Sequence, residues 1–316
     1  MKRALVTGGA GFIGSNLVDR LIESYDVHVI DNLATGKKSY VHAKAHLYIE
    51  DIRKQKNILS VIKKIKPDVI LHIAGQASNI KSFNDPHFDI DMNFKGTVNI
   101  VLASVEAKIK RFIYASSMTV YGNPEKIPIS EEHACRPVSY YGISKYAAER
   151  FVMATATRSD LTSPFLATSL RMFNVYGPRQ DLTNPYQGPV AIFLGHVLRN
   201  EPIIIYGDGK QTRDFIYIDD VTSAWIAAID NKKTYQNIYN VGSASQQTIL
   251  NIAHTVIHTA GNNPQTYPII HKSLLPGEQR HMIANIQHIS RDTGFRATTS
   301  FFDGLAKTIC WAKSTL

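Results

Sequence analysis

A chain of 316 residues, 44% hydrophobic and 19% charged, carries enough apolar material for a substantial core and too little charge for a disordered protein. Its net charge of +9 does not point to nucleic acid, because the basic residues are scattered outside Lys63-Lys64-Ile65-Lys66 and lack aromatic partners for stacking; an anionic small substrate accounts for the excess. No run approaches the ~18 apolar residues of a membrane span, Met1-Lys2-Arg3 enters the first strand with no secretory leader, and Cys135 and Cys310 form neither a metal motif nor a disulfide framework, so the expectation is a cytoplasmic protein with no metal and no membrane partner.

The first element is the most informative. Ala4-Leu5-Val6-Thr7 is a short apolar run, followed at once by Gly8, Gly11 and Gly14 and then by an amphipathic stretch containing Leu17, Val18, Leu21 and Ile22. Strand, tight turn and helix in this order form a phosphate cradle: a side chain would obstruct the approach of a pyrophosphate to backbone N–H groups, and the helix N-terminus adds partial positive charge. The spacing is G-x-x-G-x-x-G, not the commoner G-x-G-x-x-G. A second strand, Val27–Asp31, ends in an acid about 20 residues beyond the glycines, where a carboxylate accepts hydrogen bonds from the adenine-side ribose. Asp31 would repel a 2′-phosphate, so NAD is favoured over NADP. A third run, Leu47–Glu50, leads to Asp51-Ile52, where an adenine can be held.

Further apolar strands are expected at Val69–Ile73, Arg111–Ser116 and Leu166–Arg171, with helical patterns between them, the longest at Asp91–Glu106 and from Tyr141 to about Ala156. This alternation predicts an α/β fold of the Rossmann type, a doubly wound parallel sheet. After Arg171 the texture changes to loops rich in Gly, Pro and Tyr, such as Tyr176-Gly177-Pro178-Arg179. The expected division is therefore a cofactor-binding domain over 1–170 and a smaller C-terminal substrate-binding region over 171–316, placed over the carboxyl edge of the sheet. Residues 237–242 read as a strand returning to the sheet.

Chemistry concentrates in two places. Tyr141 and Lys145 stand at i and i+4, about one turn apart on one helix face. A nearby cation favours the phenolate, as would the positive ring of oxidised NAD, and a tyrosine so shifted can act as a base near neutral pH where a free one, with a pKa of ~10, cannot. Upstream, Ala115-Ser116-Ser117-Met118-Thr119-Val120-Tyr121-Gly122 is a strand end emptying into the cleft, with Ser117 offering a hydroxyl to the same substrate oxygen. Arg213 suits a diphosphate, because its planar fork donates two hydrogen bonds and cannot deprotonate.

With these residues in view, the chain resembles the extended short-chain dehydrogenase/reductase family and, within it, the nucleotide-sugar 4-epimerases. The likeness rests on TGGAGFIGS, Asp31, His72-Ile73-Ala74-Gly75-Gln76, Asn93 before Gly96-Thr97, SSMTVYG, YGISK, Arg171-Met172-Phe173-Asn174-Val175-Tyr176-Gly177-Pro178-Arg179, and Gly207 through Phe215. It implies Ser117, Tyr141 and Lys145 as the catalytic triad. For the cofactor, NAD, it implies Gly8, Gly11, Phe12, Ile13, Gly14, Asp31, Asn32, Asp51, Ile52, Ala74, Gln76, Asn93, Ser116, Tyr141, Lys145 and Phe173. Ser117, Tyr141, Asn174 and Arg213 would bind a nucleotide-diphosphate sugar, a UDP-sugar first among them, and the protein would be a homodimer through its two long helices. Met118-Thr119 stands where sugar 4,6-dehydratases carry Asp-Glu, which disfavours dehydration, and Asn174 matches the neutral-sugar type.

Two positions depart from the family pattern. Leu275 replaces an arginine that contacts the pyrophosphate in many 4-epimerases, so that either Arg280 substitutes or the pose differs, and Met282 either falls where residue size decides between plain and N-acetylated sugars in these epimerases or is simply core. The expected reaction is reversible oxidation at carbon four through a 4-keto sugar, on glucose/galactose or their N-acetylated forms. Still open at this point are a reductase or an epimerase at another carbon on the same scaffold, and a non-catalytic NAD-sensing regulator.

Overall fold

The computed structural model describes residues 1–274 and 280–315. Its first half runs β1 (Lys2–Thr7), α1 (Phe12–Leu21), β2 (Tyr25–Asp31), β3 (His46–Ile49), α2 (Gln55–Ile65), β4 (Val69–His72), the short α3 (Asn79–Asn84) and α4 (Pro86–Ile90), α5 (Gly96–Glu106), β5 (Arg111–Ser117), α6 (Tyr140–Ala156) and β6 (Leu166–Met172). The second half continues with β7 (Asn174–Tyr176), α7 (Pro189–Leu198), β8 (Ile203–Tyr206), β9 (Thr212–Arg213), β10 (Phe215–Tyr217), α8 (Ile218–Ile229), β11 (Asn237–Val241), β12 (Gln247–Thr248), α9 (Ile249–Thr259), β13 (Ile269–Lys272), α10 (Gln287–Thr293) and α11 (Phe301–Thr315).

Seven strands form one parallel sheet in the order β11-β6-β5-β4-β1-β2-β3. Because successive strand residues point to opposite faces, neighbours in sequence feed different cores. Leu5, Ile70 and Phe112 join Ile58 and Ile62 of α2, Ile100 of α5 and Val152 of α6 on one side. Val6, Leu71 and Ile113 join Leu17 and Val18 of α1 and Trp225 of α8 on the other. Both faces are covered by helices, which is why these strands read as continuous apolar runs without alternation. On α2, Ile58, Ile62 and Ile65 face inward while Lys63 and Lys64 take the other side, so the basic run is a solvated helix face.

Strand order reverses between β1 and β4, and the crevice outside the carboxyl ends of a parallel sheet opens at such a point. The boundary at 170 is crossed twice. β11 lies beside β6 with Asn237 opposite Thr168 and Val241 opposite Met172, and the apolar cluster holding Val6 and Leu71 continues through Ile252 of α9 to Ile309 of α11. The C-terminal region itself is built from small pieces: β7 with β10, β9 with β12, and β8 with β13.

The helix expected over Asp91–Glu106 begins with a π-helical stretch, Asp91–Lys95, before α5 proper. Such wide turns concentrate at functional sites, and this one contains Asn93. Gly96 follows because a Cβ there would stand 2.5 Å from Ile52 Cδ1.

Candidate active site

The glycine turn is shaped by contacts that leave no room for side chains. Gly8 has a φ of +73° and packs against the backbone of Ala74, while a Cβ on Gly14 would lie 2.1 Å from the carbonyl oxygen of Gly8. Gly11 is different: a Cβ there would meet nothing of the protein nearer than 3.3 Å. That one close atom is the Gly8 carbonyl oxygen, with no other within 4 Å, and Gly11 caps α1 without any side-chain cap bond, which leaves the first-turn N–H groups around Phe12 and Ile13 for a ligand. These features fit the pyrophosphate of a dinucleotide.

Asp31, at the end of β2, is buried and held by the backbone N–H groups of Ala10 (3.0 Å) and Leu33 (2.8 Å), which aim its carboxylate across the turn. Asn32 reaches Asp51 at 3.4 Å. Asp51 is drawn to about 2 by its hydrogen bonds with Arg53, whose guanidinium grips it at 2.6 Å, so it is an ionised acceptor at the groove's rim. Ile52 is buried against Gly96.

Beneath the crevice lies a chain of small polar groups. Thr7 Oγ1 accepts from the N–H groups of Ile73 and Ala74 and donates to His72 Nδ1 (2.6 Å); His72 Nε2 in turn donates to Thr97, which donates to the carbonyl of Asn93. Burial pushes His72 down to about 3, with the nearby Lys145 adding to the effect, so the ring is neutral and serves as a strut. Asn93 Oδ1 accepts from the N–H of Gln76, and Gly75 must be glycine because a Cβ would stand 2.7 Å from that oxygen. Ser116 is buried with a hydroxyl that finds no partner among the described residues.

The three expected catalytic residues come from two elements. Ser117 ends β5 and caps the turn Met118–Tyr121, where its oxygen accepts from Thr119 N–H (3.3 Å) and Thr119 Oγ1 (2.9 Å). Tyr141 and Lys145 lie in the first turns of α6, which Ser139 caps. Burial pushes the Tyr141 phenol up to about 12; its hydrogen bond with Ser117 opposes this, and the negative charge of Asp89 reinforces it. No hydrogen bond joins Lys145 to the Tyr141 phenol. The ammonium instead sits over the ring of Tyr114, 4.4 Å from its centre, and burial pulls it down to about 7 against the charges of Asp89 and Glu149. The i, i+4 spacing sets the backbone positions, but the aromatic face decides where the ammonium rests.

Asp89 gives no signal in sequence; it reads as a solvated acid on a short helix. In the fold it is fully buried and accepts from Gln76 Nε2 (2.7 Å), Asn93 Nδ2 (3.1 Å) and Ser144 Oγ (2.5 Å). Burial pushes its carboxyl up, while Ser144, Gln76 and the charge of Lys145 pull it down. Three donors aimed at two oxygens describe a carboxylate. One turn beyond Lys145, Glu149 forms a buried two-pronged pair with Arg171 of β6 at 2.6 and 3.0 Å, which locks α6 to the sheet.

On the substrate side, Asn174 of β7 donates to the carbonyl of Asp214 (3.0 Å) and approaches Met118 Sδ (3.6 Å), while Arg213 of β9 is buried and donates to its neighbour's carbonyl at Thr212. Asp214 between them was missed as a site residue. Its buried carboxylate accepts from Ser243 N–H and Oγ (both 2.7 Å), Ala244 N–H (3.0 Å) and Ala284 N–H (3.0 Å), which fastens the segment carrying Arg213 to the loops at 243–244 and 284, while its main-chain carbonyl is the group that meets Asn174. Phe173 is buried and bound through its N–H to Val241.

The two departures resolve differently. Leu275 lies outside the described residues. Arg280 is exposed and its carbonyl accepts from Thr212 N–H (2.9 Å), so it stands across from the residue preceding Arg213. Met282 is corrected: with no exposed surface, it packs among Met118, Val120, Tyr121, Ile129, Phe173 and Ala284 and does not itself line an open pocket.

Comparison with known proteins agrees with this geometry. Residues 4–242 match the profile of the NAD dependent epimerase/dehydratase family. The chain is 34% identical over 312 residues to a putative UDP-glucose 4-epimerase of Methanocaldococcus jannaschii, covering 98% of each. It superposes with a TM-score of 0.93 and 32% identity on the crystal structure of a Thermotoga maritima UDP-glucose 4-epimerase with UDP-glucose, over 99% of both chains. A Thermus thermophilus UDP-glucose 4-epimerase in complex with NAD gives a TM-score of 0.91 at 31% identity, over 99% of this chain and 100% of that one.

Proposed function

This chain belongs to the NAD dependent epimerase/dehydratase family, and on that premise we propose that it inverts carbon four of a UDP-sugar, glucose/galactose or their N-acetylated forms. The observation that carries this reading is the meeting of Ser117 and Tyr141 at the carboxyl end of β5, on the crevice that the glycine turn opens.

In this reading the turn at Gly8, Gly11 and Gly14, with the N–H groups of Phe12 and Ile13, holds the cofactor's pyrophosphate, and Asp31 and Asn32 hold its ribose. Asp51 and Ile52 flank the adenine. Ala74, Gln76, Asn93, Ser116 and Phe173 line the rest of the groove. NAD, when bound, supplies the acceptor that takes hydride from carbon four and returns it to the opposite face of the 4-keto sugar.

Tyr141 takes the proton of the carbon-four hydroxyl and later gives it back. The Ser117 hydroxyl, steadied by Thr119, hydrogen-bonds the same oxygen and fixes which hydroxyl reacts. With burial and the charge of Asp89 holding the phenol near 12 against the Ser117 hydrogen bond, neutral-pH activity requires positive charge at the site. Lys145 is the protein's cation there, and Asp89 and Glu149 keep its proton in place against burial. Asn174 and Arg213, with Arg280 at the edge, hold the diphosphate.

Leu102 of α5 and Tyr140 and Ile143 of α6 are exposed apolar side chains on the two long helices, and they support a homodimer through those faces. Light scattering on the purified protein tests it; a monomer at micromolar concentration rejects it. Among the described residues no helix is long and apolar enough to cross a membrane, in keeping with the cytoplasmic location we propose.

The deciding experiment incubates purified protein with UDP-glucose, UDP-galactose, UDP-GlcNAc and UDP-GalNAc without added cofactor and follows products by NMR. Interconversion at carbon four with no accumulation of NADH is expected. If all four stay unchanged while another nucleotide sugar is converted, the substrate assignment fails.

A further inference from the structure

The strand ends opposite the crevice carry a second cluster of chemistry-bearing side chains. Asp26 and His28 stand two residues apart on β2 and so share one face of the sheet, and the register places His46 of β3 directly beside His28. The two imidazoles stack with ring centres 4.8 Å apart. Each points its Nε2 at a different oxygen of the same carboxylate: His28 Nε2 lies 3.3 Å from Asp26 Oδ2, and His46 Nε2 lies 3.2 Å from Asp26 Oδ1.

We propose that Asp26, His28 and His46 form a surface site for a divalent transition cation of the zinc class, with water in the fourth position. A tetrahedral site with bonds of 2.0–2.1 Å has ligand-to-ligand edges of about 3.3–3.4 Å, which the two imidazole-to-carboxylate distances already match. The donor atoms of all three residues lie within 4.8 Å of one another. The edge between the rings is therefore the one left to shorten, and His46, with a side chain 59% exposed, is the ring with room to turn. Two imidazoles and a carboxylate are the donor set that such borderline cations take. The outer contact typical of a ligating histidine is also present: the Tyr48 hydroxyl lies 3.3 Å from His28 Nδ1. With a cation bound at Nε2, the Nδ1–H of His28 would donate to the Tyr48 hydroxyl, the tautomer a ligating imidazole needs.

The competing cation is Arg3, whose Nε is 4.0 Å from Asp26 Oδ2, too long for a hydrogen bond. The site lies toward the amino ends of β2 and β3, whereas Asp31 and the cofactor groove lie at the carboxyl end of β2. A bound cation would fasten β3, the edge strand of the sheet, to β2 without touching the catalytic groups.

The test uses the full-length, tag-free protein as purified, titrated with Zn²⁺ in a buffer that does not chelate, by calorimetry and by thermal melting. One saturable site per chain is expected, with a melting temperature that rises on addition of Zn²⁺. His46→Gln and Asp26→Asn should each weaken binding at least about tenfold and abolish the rise, while UDP-sugar conversion in the absence of metal stays at the parent level. His46 is exposed on an edge strand, so its replacement does not threaten the fold. Absence of saturable binding up to millimolar Zn²⁺, or retention of the parent affinity in either variant, overturns the proposal. Both outcomes are independent of whether the protein epimerises a sugar.

Discussion

The two sides of the crevice are held in different ways. On the cofactor side the chain's own geometry does the positioning: Gly8, Gly14 and Gly75 allow backbone and side chains to meet at distances a Cβ would forbid, and Asp31 is fixed by two main-chain N–H groups. On the substrate side the strands are two or three residues long, and one carboxylate, Asp214, fastens the segment carrying Arg213 to the loops at Ser243 and Ala284. A groove built from backbone changes only with the fold, whereas a groove built on side-chain staples can change by single substitutions.

The largest expected effect lies between the two sides. Tyr141→Phe removes the proton acceptor and should lower kcat by about 10³-fold, on the order of 4 kcal/mol in the barrier, with NAD still retained. Loss of NAD in this variant, read from the absorbance of the released cofactor, would place the phenol on the cofactor side instead.

Gly14→Ala should break the cofactor side outright. The added methyl would stand 2.1 Å from the Gly8 carbonyl oxygen, costing roughly 3 kcal/mol in thermal or denaturant unfolding and emptying the protein of NAD. A variant that keeps both stability and cofactor would refute the claim that backbone contact sets this groove.

Asp214→Ala sharpens the comparison from the other direction. It strips partners from three N–H groups, that of Ala284 buried, and should cost about 2–3 kcal/mol of stability, and it should raise KM for the sugar while leaving the NAD content per folded chain unchanged. Parallel losses of cofactor and substrate affinity would mean that the two sides are not separable.

The smallest effect tests Asp89. Asp89→Asn keeps hydrogen-bonding atoms but removes a charge that holds the proton on Lys145. Lys145, already drawn down to about 7, would then release its proton at still lower pH. The alkaline limb of the kcat–pH profile should move toward acid, with activity at pH 7.5 falling about tenfold (~1.4 kcal/mol). An unchanged profile would reduce Asp89 to a packing role.

Much of the cofactor side is legible in the chain. The strand-glycine-helix order, Asp31 at its spacing and the apolar runs of a sheet covered on both faces are local patterns, and each is set by the sterics of a few consecutive residues. Tyr141, Lys145 and Ser117 are legible as candidates for the same reason. Asp89 and Asp214 are not, because a buried acid and a surface acid look alike in sequence and only the donors gathered around them distinguish the two. Met282 shows the reverse: an apolar residue expected at a pocket wall is enclosed by Met118, Phe173 and their neighbours, which come from distant parts of the chain.

By itself, then, the sequence determined the α/β architecture and singled out the glycine turn and the candidate reacting groups, since periodicity, glycine placement and functional-group chemistry are properties of short segments. Tertiary structure alone decided the electrostatics. The Lys145 ammonium rests over the ring of Tyr114, its proton depends on Asp89 and Glu149, and Asp26, His28 and His46 converge at the sheet edge because of strand register. Charge interactions depend on burial and on distances between residues far apart in the chain, and those exist only once the chain has folded.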